Sequence, residues 1–158
     1  MEEPQNPYAP PKSEIGIAPK KPDHNATCVF SPAQGSLGTF VGGPLAGTYF
    51  IRTNFLALGD SKRARLTTIW GVVICAGILL ALPFLPEKMP GYIIPMAYAI
   101  TARIIIERAQ FTKAQIAASS TLAFHSGWRA LGVAVVGLVI FALLAIAEIL
   151  LFPALLGS

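Results

Sequence analysis

Leu66-Thr67-Thr68-Ile69-Trp70-Gly71-Val72-Val73-Ile74-Cys75-Ala76-Gly77-Ile78-Leu79-Leu80-Ala81-Leu82-Pro83-Phe84-Leu85 runs for 20 residues without a charged side chain. As an α-helix it would measure roughly 30 Å, the thickness of a bilayer's hydrocarbon core. It therefore reads as a transmembrane helix. The surrounding composition agrees: of 158 residues 54% are apolar, and only 12 Lys or Arg and 8 Asp or Glu carry charge. A charged fraction of 13% is about half of what soluble domains carry, which argues against an ordinary soluble enzyme.

Three more apolar runs flank this segment. The first begins at Ser31-Pro32, where the Ser hydroxyl can accept from an early N–H and Pro occupies the first helical position, and it ends at Leu58-Gly59. A third, residues 91–106, contains Pro95 and Arg103 and spans if Arg103 lifts its guanidinium to the near interface. The fourth, residues 130–152, is apolar apart from Glu148. Pro83 and Pro86 close the second run, leaving a tight turn before the third, and the polar stretch 107–129 reads as a cytoplasmic helix and loop. Residues 1–30 hold six of the 13 prolines and show no apolar period, so they read as a disordered tail. They lack the pattern of a secretory signal.

The expected fold is thus an all-α membrane protein: a tail over 1–30, then a domain over 31–158 forming a bundle of four transmembrane helices at about 32–58, 66–85, 91–106 and 130–152. Lys62, Arg63, Arg65, Arg108, Lys113 and Arg129 oppose a lone Lys88, so the two basic loops are expected in the cytoplasm. Four crossings would export Lys12, Lys20 and Lys21 with the tail. A re-entrant first segment, broken at Gly42-Gly43-Pro44, would keep the tail inside; four spans are preferred. The excess of basic residues flanks apolar runs and does not imply nucleic acid.

Within the first run, Gly38 and Gly42, and again Gly43 and Gly47, are four residues apart, which lets another helix approach closely. Pro44 removes a donor and clashes with the carbonyl of Phe40, so a kink is expected. These residues read as helix packing first, and as the lining of a small cavity or an assembly seam second. Arg52, Asn54, Arg103 and Glu148 are the polar residues in or near the apolar runs, where ionisable groups are candidates for function. Arg52 and Glu148 lie near opposite ends of their helices, Arg103 can pair with Glu107 four residues on, and anchoring at the interfaces accounts for all three. His24 and His125 have no Cys or carboxylate at ligand spacing, and Cys28 and Cys75 sit in unlike surroundings, so neither a metal site nor a disulfide is expected. No catalytic or cofactor-binding residue can be nominated.

Phe30-Ser31-Pro32, Phe40, Gly42-Gly43-Pro44-Leu45-Ala46, Asn54 and Leu58-Gly59, followed by a basic loop, resemble an uncharacterised family of small bacterial membrane proteins. Its members carry a Phe-x-Gly-Gly-Pro-Leu-Ala stretch, then an Asn and a Leu-Gly pair, then further hydrophobic helices. The resemblance covers Phe30 to about Leu151 and implies a bacterial inner-membrane location, but no activity. Three functions stand as expectations. A non-enzymatic accessory protein would pack against a membrane partner or itself through the Gly-rich face. An immunity protein would neutralise a membrane-acting toxin. A small channel or carrier would need a wet pathway through Asn54 and the Gly42–Pro44 kink.

Overall fold

The structure is a computed structural model and describes residues 27–86, 88–110 and 121–156. The expectations for the tail over 1–26, including His24, and for residues 111–120, including Lys113, lie outside those residues. In chain order the elements are β1 (Thr27–Val29), α1 (Pro32–Ala57), α2 (Ser61–Ala81) with a 3-10 turn at Leu82–Phe84, α3 (Ile93–Ala109), β2 (Leu122–Phe124) and α4 (Gly127–Leu156). Two helical stretches, Ser61–Phe84 and Gly127–Leu151, are long and apolar enough to cross a membrane. Four transmembrane helices are not established by these lengths: α3 has 17 residues, or roughly 25 Å.

α1 departs most from expectation. It starts as the sequence predicts, with Ser31 as N-cap accepting from Gln34 N–H and Gln34 reaching back to the Ser31 N–H, a reciprocal cap. The helix then breaks at Gly43, whose φ of 73° and ψ of −169° lie in a region that only glycine occupies readily. Pro44 comes next, without a donor to continue the ladder. The chain reverses there instead of bending. A straight helix would hold Phe30 and Asn54 roughly 36 Å apart, yet the Asn54 side chain bonds both main-chain groups of Phe30 at 2.8 and 2.9 Å. The expected crossing over 32–58 is therefore replaced by a helical hairpin with arms over 32–42 and 44–57. Glycines on arm one make room for arm two: a Cβ on Gly38 would strike the Phe50 ring, and one on Gly47 would meet Thr39 at 2.7 Å.

β1 and β2 form a two-stranded parallel sheet, with Thr27 opposite Leu122 and Val29 opposite Phe124. This corrects two boundaries. Thr27–Phe30 do not belong to the tail, since Val29 and Phe30 are wholly buried, and the stretch before α4 contains a strand as well as loop. A third correction concerns Lys62, Arg63 and Arg65, which lie in the first turns of α2 behind an Asp60 N-cap, not in a loop.

The hairpin is the hub of the bundle. α2, α3 and α4 each pack on it, while α2 and α3 scarcely touch one another. One core joins Ile51 and Phe55 of arm two to Ala64 of α2 and to Ala102 and Ile106 of α3. A second joins Phe30, Ala46 and Phe50 to Ala130 of α4. Both hairpin ends, the start of α2, the end of α3 and the start of α4 therefore gather at one end of the molecule. That end carries Arg63, Arg65, Arg108 and Arg129, and the turn holding Lys88 lies beyond the far end of α2.

Candidate functional site

The gathered end is built around Asn54. Its carboxamide is wholly buried: Oδ1 accepts from the Phe30 N–H, and Nδ2 donates to the Phe30 carbonyl and to Gln110 Oε1. Gln110, the C-cap of α3, donates in turn to the Ile51 carbonyl at 2.9 Å. One side chain thus closes the hairpin while its amide partner ties α3 to arm two. On the other flank, Gln34 donates from Nε2 to the His125 carbonyl at 2.8 Å, and the His125 N–H bonds to the Val29 carbonyl at 2.9 Å. Buried polar groups in such a network must all be satisfied to be tolerated, and here they hold the chain reversal in place.

Aromatic contacts fill the space beneath these bonds. The Phe30 ring lies edge-on to Phe50 at 4.8 Å between centroids and tilted against the His125 imidazole at 4.4 Å. Burial lowers the His125 pKa from its usual 6.5, and the nearby Arg129 charge lowers it further. Because the folded state disfavours imidazolium, this residue's contribution to stability is complete above about pH 6.5 and is lost as pH falls below it. Thermal unfolding in detergent at pH 7.5 and 5.5 is expected to show a lower midpoint at the acid pH. A His125→Phe variant, which keeps a ring against Phe30 but does not titrate, should narrow that difference; an unchanged difference would contradict the assignment.

At the opposite end of the hairpin the reversal presses on α4. A Cβ on Gly42 would lie 2.5 Å from the Ala134 carbonyl oxygen and 2.7 Å from its Cα, and one on Gly137 would lie 2.7 Å from the Gly42 carbonyl oxygen. Two backbones meet here at a distance that side chains would prevent. Gly43 faces Phe141 of α4 with room to spare, so its requirement for glycine comes from its φ alone. Gly38, Gly42, Gly43, Pro44 and Gly47 therefore all face the interior. The Gly-rich stretch that reads in sequence as a candidate docking face is occupied by the protein's own arm two and α4.

The candidate charges are scattered. Arg52 is exposed on arm two. Arg103 pairs with Glu107 at 2.9 Å on an exposed face of α3, an arrangement worth little in stability. Glu148 lies far along α4, and both carboxylate oxygens are buried with no hydrogen-bond partner among the described residues. Asn54, a candidate for a water path, has its amide wholly committed at the gathered end and lies away from the Gly42–Pro44 break. Among the described residues no group of His, Cys, Asp and Glu is placed to hold a metal ion.

Sequence reasoning alone misses Gln34, Gln110 and His125 as site residues. Gln34 has a legible signal in the Ser-x-x-Gln spacing of a reciprocal cap. The other two act through contacts with residues far away in the chain and leave no local trace. Neither a family model, nor a curated protein, nor a solved structure matches this chain.

Proposed function

We propose that the chain is a non-enzymatic integral protein of a bacterial inner membrane that packs against a membrane partner, or a second copy of itself, through the outer half of α4. In this reading α2, α3 and α4 cross the bilayer and α1 is a re-entrant hairpin. The distribution of charge supports the orientation. Arg63, Arg65, Arg108 and Arg129 share the gathered end, which is the cytoplasmic one by the excess of basic residues there. A re-entrant α1 starts the tail on that same side, so Lys12, Lys20 and Lys21 need not be exported.

The observation that carries the interaction is Glu148. Past Phe141, α4 leaves the hairpin, and Leu143, Ile146, Ile149, Leu150 and Leu151 are all more than half exposed. An apolar helix of this kind needs nothing beyond lipid. A carboxyl with both oxygens buried and unbonded does need something, because such a group costs several kcal/mol until a donor satisfies it. A neighbouring transmembrane helix offering a hydroxyl, an amide or a basic group meets that need once the Glu148 side chain turns outward toward it.

The test is purification of the full chain in mild detergent from its host, with mass spectrometry and measurement of oligomeric state. A stoichiometric membrane protein, or a homodimer, is expected with the wild type. It should be lost with Glu148→Leu and largely kept with Glu148→Gln, which can still hydrogen bond. A monomer without companions, or a complex indifferent to Glu148→Leu, would refute the proposal.

A further inference from the structure

α2 and α3 lean on arm two from two sides without closing on each other, and the gap between them is a crevice floored by the hairpin. Two adjoining cavities of about 400 Å³ each make it up, and Thr48, Ile51, Gly71, Ile74 and Ile105 border both. Together they fall within the roughly 300–1,000 Å³ typical of sites that bury a ligand. α2 packs closely on the hairpin at Gly71, where a Cβ would collide with Thr48.

The chemistry of the lining specifies an alkyl chain. Four threonine hydroxyls reach the crevice, and each is spent on its own helix: Thr39 on the Gly35 carbonyl, Thr48 on Pro44, Thr67 on Arg63 and Thr101 on Ala97. These residues present methyl groups among isoleucines. An occupant gains apolar contact there and, apart from the Tyr98 phenol on the lining, has little to hydrogen bond. At the gathered end the mouth is different, because Arg63 and Trp70 border it. The Arg63 guanidinium lies 5.9 Å from the Phe55 ring centroid, and its Nε pairs with Asp60 at 3.2 Å. That pair is largely exposed and so weak, which leaves the guanidinium able to take a phosphate. Lys62 and Arg65 lie in the same turns of α2 and add positive charge to this end of the molecule, but of the three only Arg63 borders the crevice.

We infer that this crevice binds an anionic glycerophospholipid of the cytoplasmic leaflet, with one acyl chain along the Ile51, Ile74 and Ile105 wall and the phosphate at Arg63. An apolar slot with a cationic rim at the membrane surface complements that molecule and does not complement a zwitterionic lipid to the same degree. The inference rests on the membrane placement proposed above but not on the role of Glu148.

Trp70 reports on the site directly. The chain has two tryptophans, so Trp128→Phe leaves Trp70 as the sole tryptophan fluorophore. The full chain is reconstituted into phosphatidylcholine vesicles containing a small fraction of brominated phosphatidylglycerol, or the same fraction of brominated phosphatidylcholine. Phosphatidylglycerol is expected to quench Trp70 well beyond its mole fraction, with a preference of about fivefold, the factor expected of one basic residue at an anionic surface. Arg63→Gln should abolish the preference. Thr101→Phe, which fills the crevice from an exposed position on α3, should reduce the excess quenching while circular dichroism shows the helices intact. Quenching in proportion to mole fraction, or an excess unchanged in both variants, overturns the lipid site alone. A chain that does not enter vesicles overturns the membrane placement with it. A co-purifying polypeptide expelled by Thr101→Phe, with no lipid preference, would assign the crevice to a partner helix and overturn the lipid.

Discussion

Asn54→Leu should unfasten the hairpin. Leucine has the same branched skeleton as asparagine with bulkier methyl ends, so the change removes bonds without opening a cavity. It strands the Phe30 N–H and carbonyl and leaves Gln110 Oε1 without its donor. Buried main-chain groups left unpaired cost about 1–3 kcal/mol each, so a loss of about 3 kcal/mol is expected, a large share of a typical folding free energy. Thermal unfolding of the purified chain in detergent measures it. Spin labels at Ala33 and Leu58 separate loss of the hairpin from general loosening. In the wild type the two sites flank the closed ends of the hairpin and should give a short distance. A continuous helix would place them roughly 38 Å apart, and N54L should broaden the distribution toward that value. A wild type that already showed the long distance would refute the chain reversal itself.

Three glycine-to-alanine changes give the second large effect, because the structure assigns each a different physical cause. Gly42→Ala drives a methyl into the Ala134 backbone, at 2.5 Å from its oxygen, and neither main chain can yield without parting the hairpin from α4. Overpacking of this kind costs about 1–3 kcal/mol or more. Gly43→Ala has space, with Phe141 no nearer than 3.6 Å, but must hold φ at 73° and ψ at −169°. Backbone strain of that sort costs about 1–3 kcal/mol. Gly59→Ala has a positive φ of 76° and nothing within 4 Å, so about 1 kcal/mol is expected, from the left-handed backbone alone. Ala134→Gly should not rescue Gly42→Ala, because the atoms in the way are the Ala134 carbonyl oxygen and Cα, which glycine keeps. A Gly42→Ala midpoint no lower than that of Gly59→Ala would mean that the tip does not meet α4 as described.

Much of this architecture is legible in local signals. The 20 uncharged residues from Leu66, the cap at Ser31-Pro32, the turn closed by Pro83 and Pro86 and the break at Gly43-Pro44 each depend on residues a few positions apart. Propensity, capping and apolar length are properties of short stretches, so they locate the helices to within a few residues. The spacing of Gly38, Gly42, Gly43 and Gly47 likewise announces close helix contact, but a small residue shows only that there is room for an approach, not which element makes it.

The path of the chain beyond Gly43-Pro44 rests on contacts between distant residues. The same pair permits a modest kink in a crossing helix or a full reversal. Reversal wins because it brings together Phe30 and Asn54, Asn54 and Gln110, Gln34 and His125, and β1 and β2 across more than 90 positions. Each contact satisfies a polar group that burial would otherwise leave costly. Short-range chemistry thus sets where this chain is helical and apolar. The assembled network alone makes its first long segment turn back and consumes its glycines inside the fold, because the groups that reward the reversal meet only once the bundle has formed.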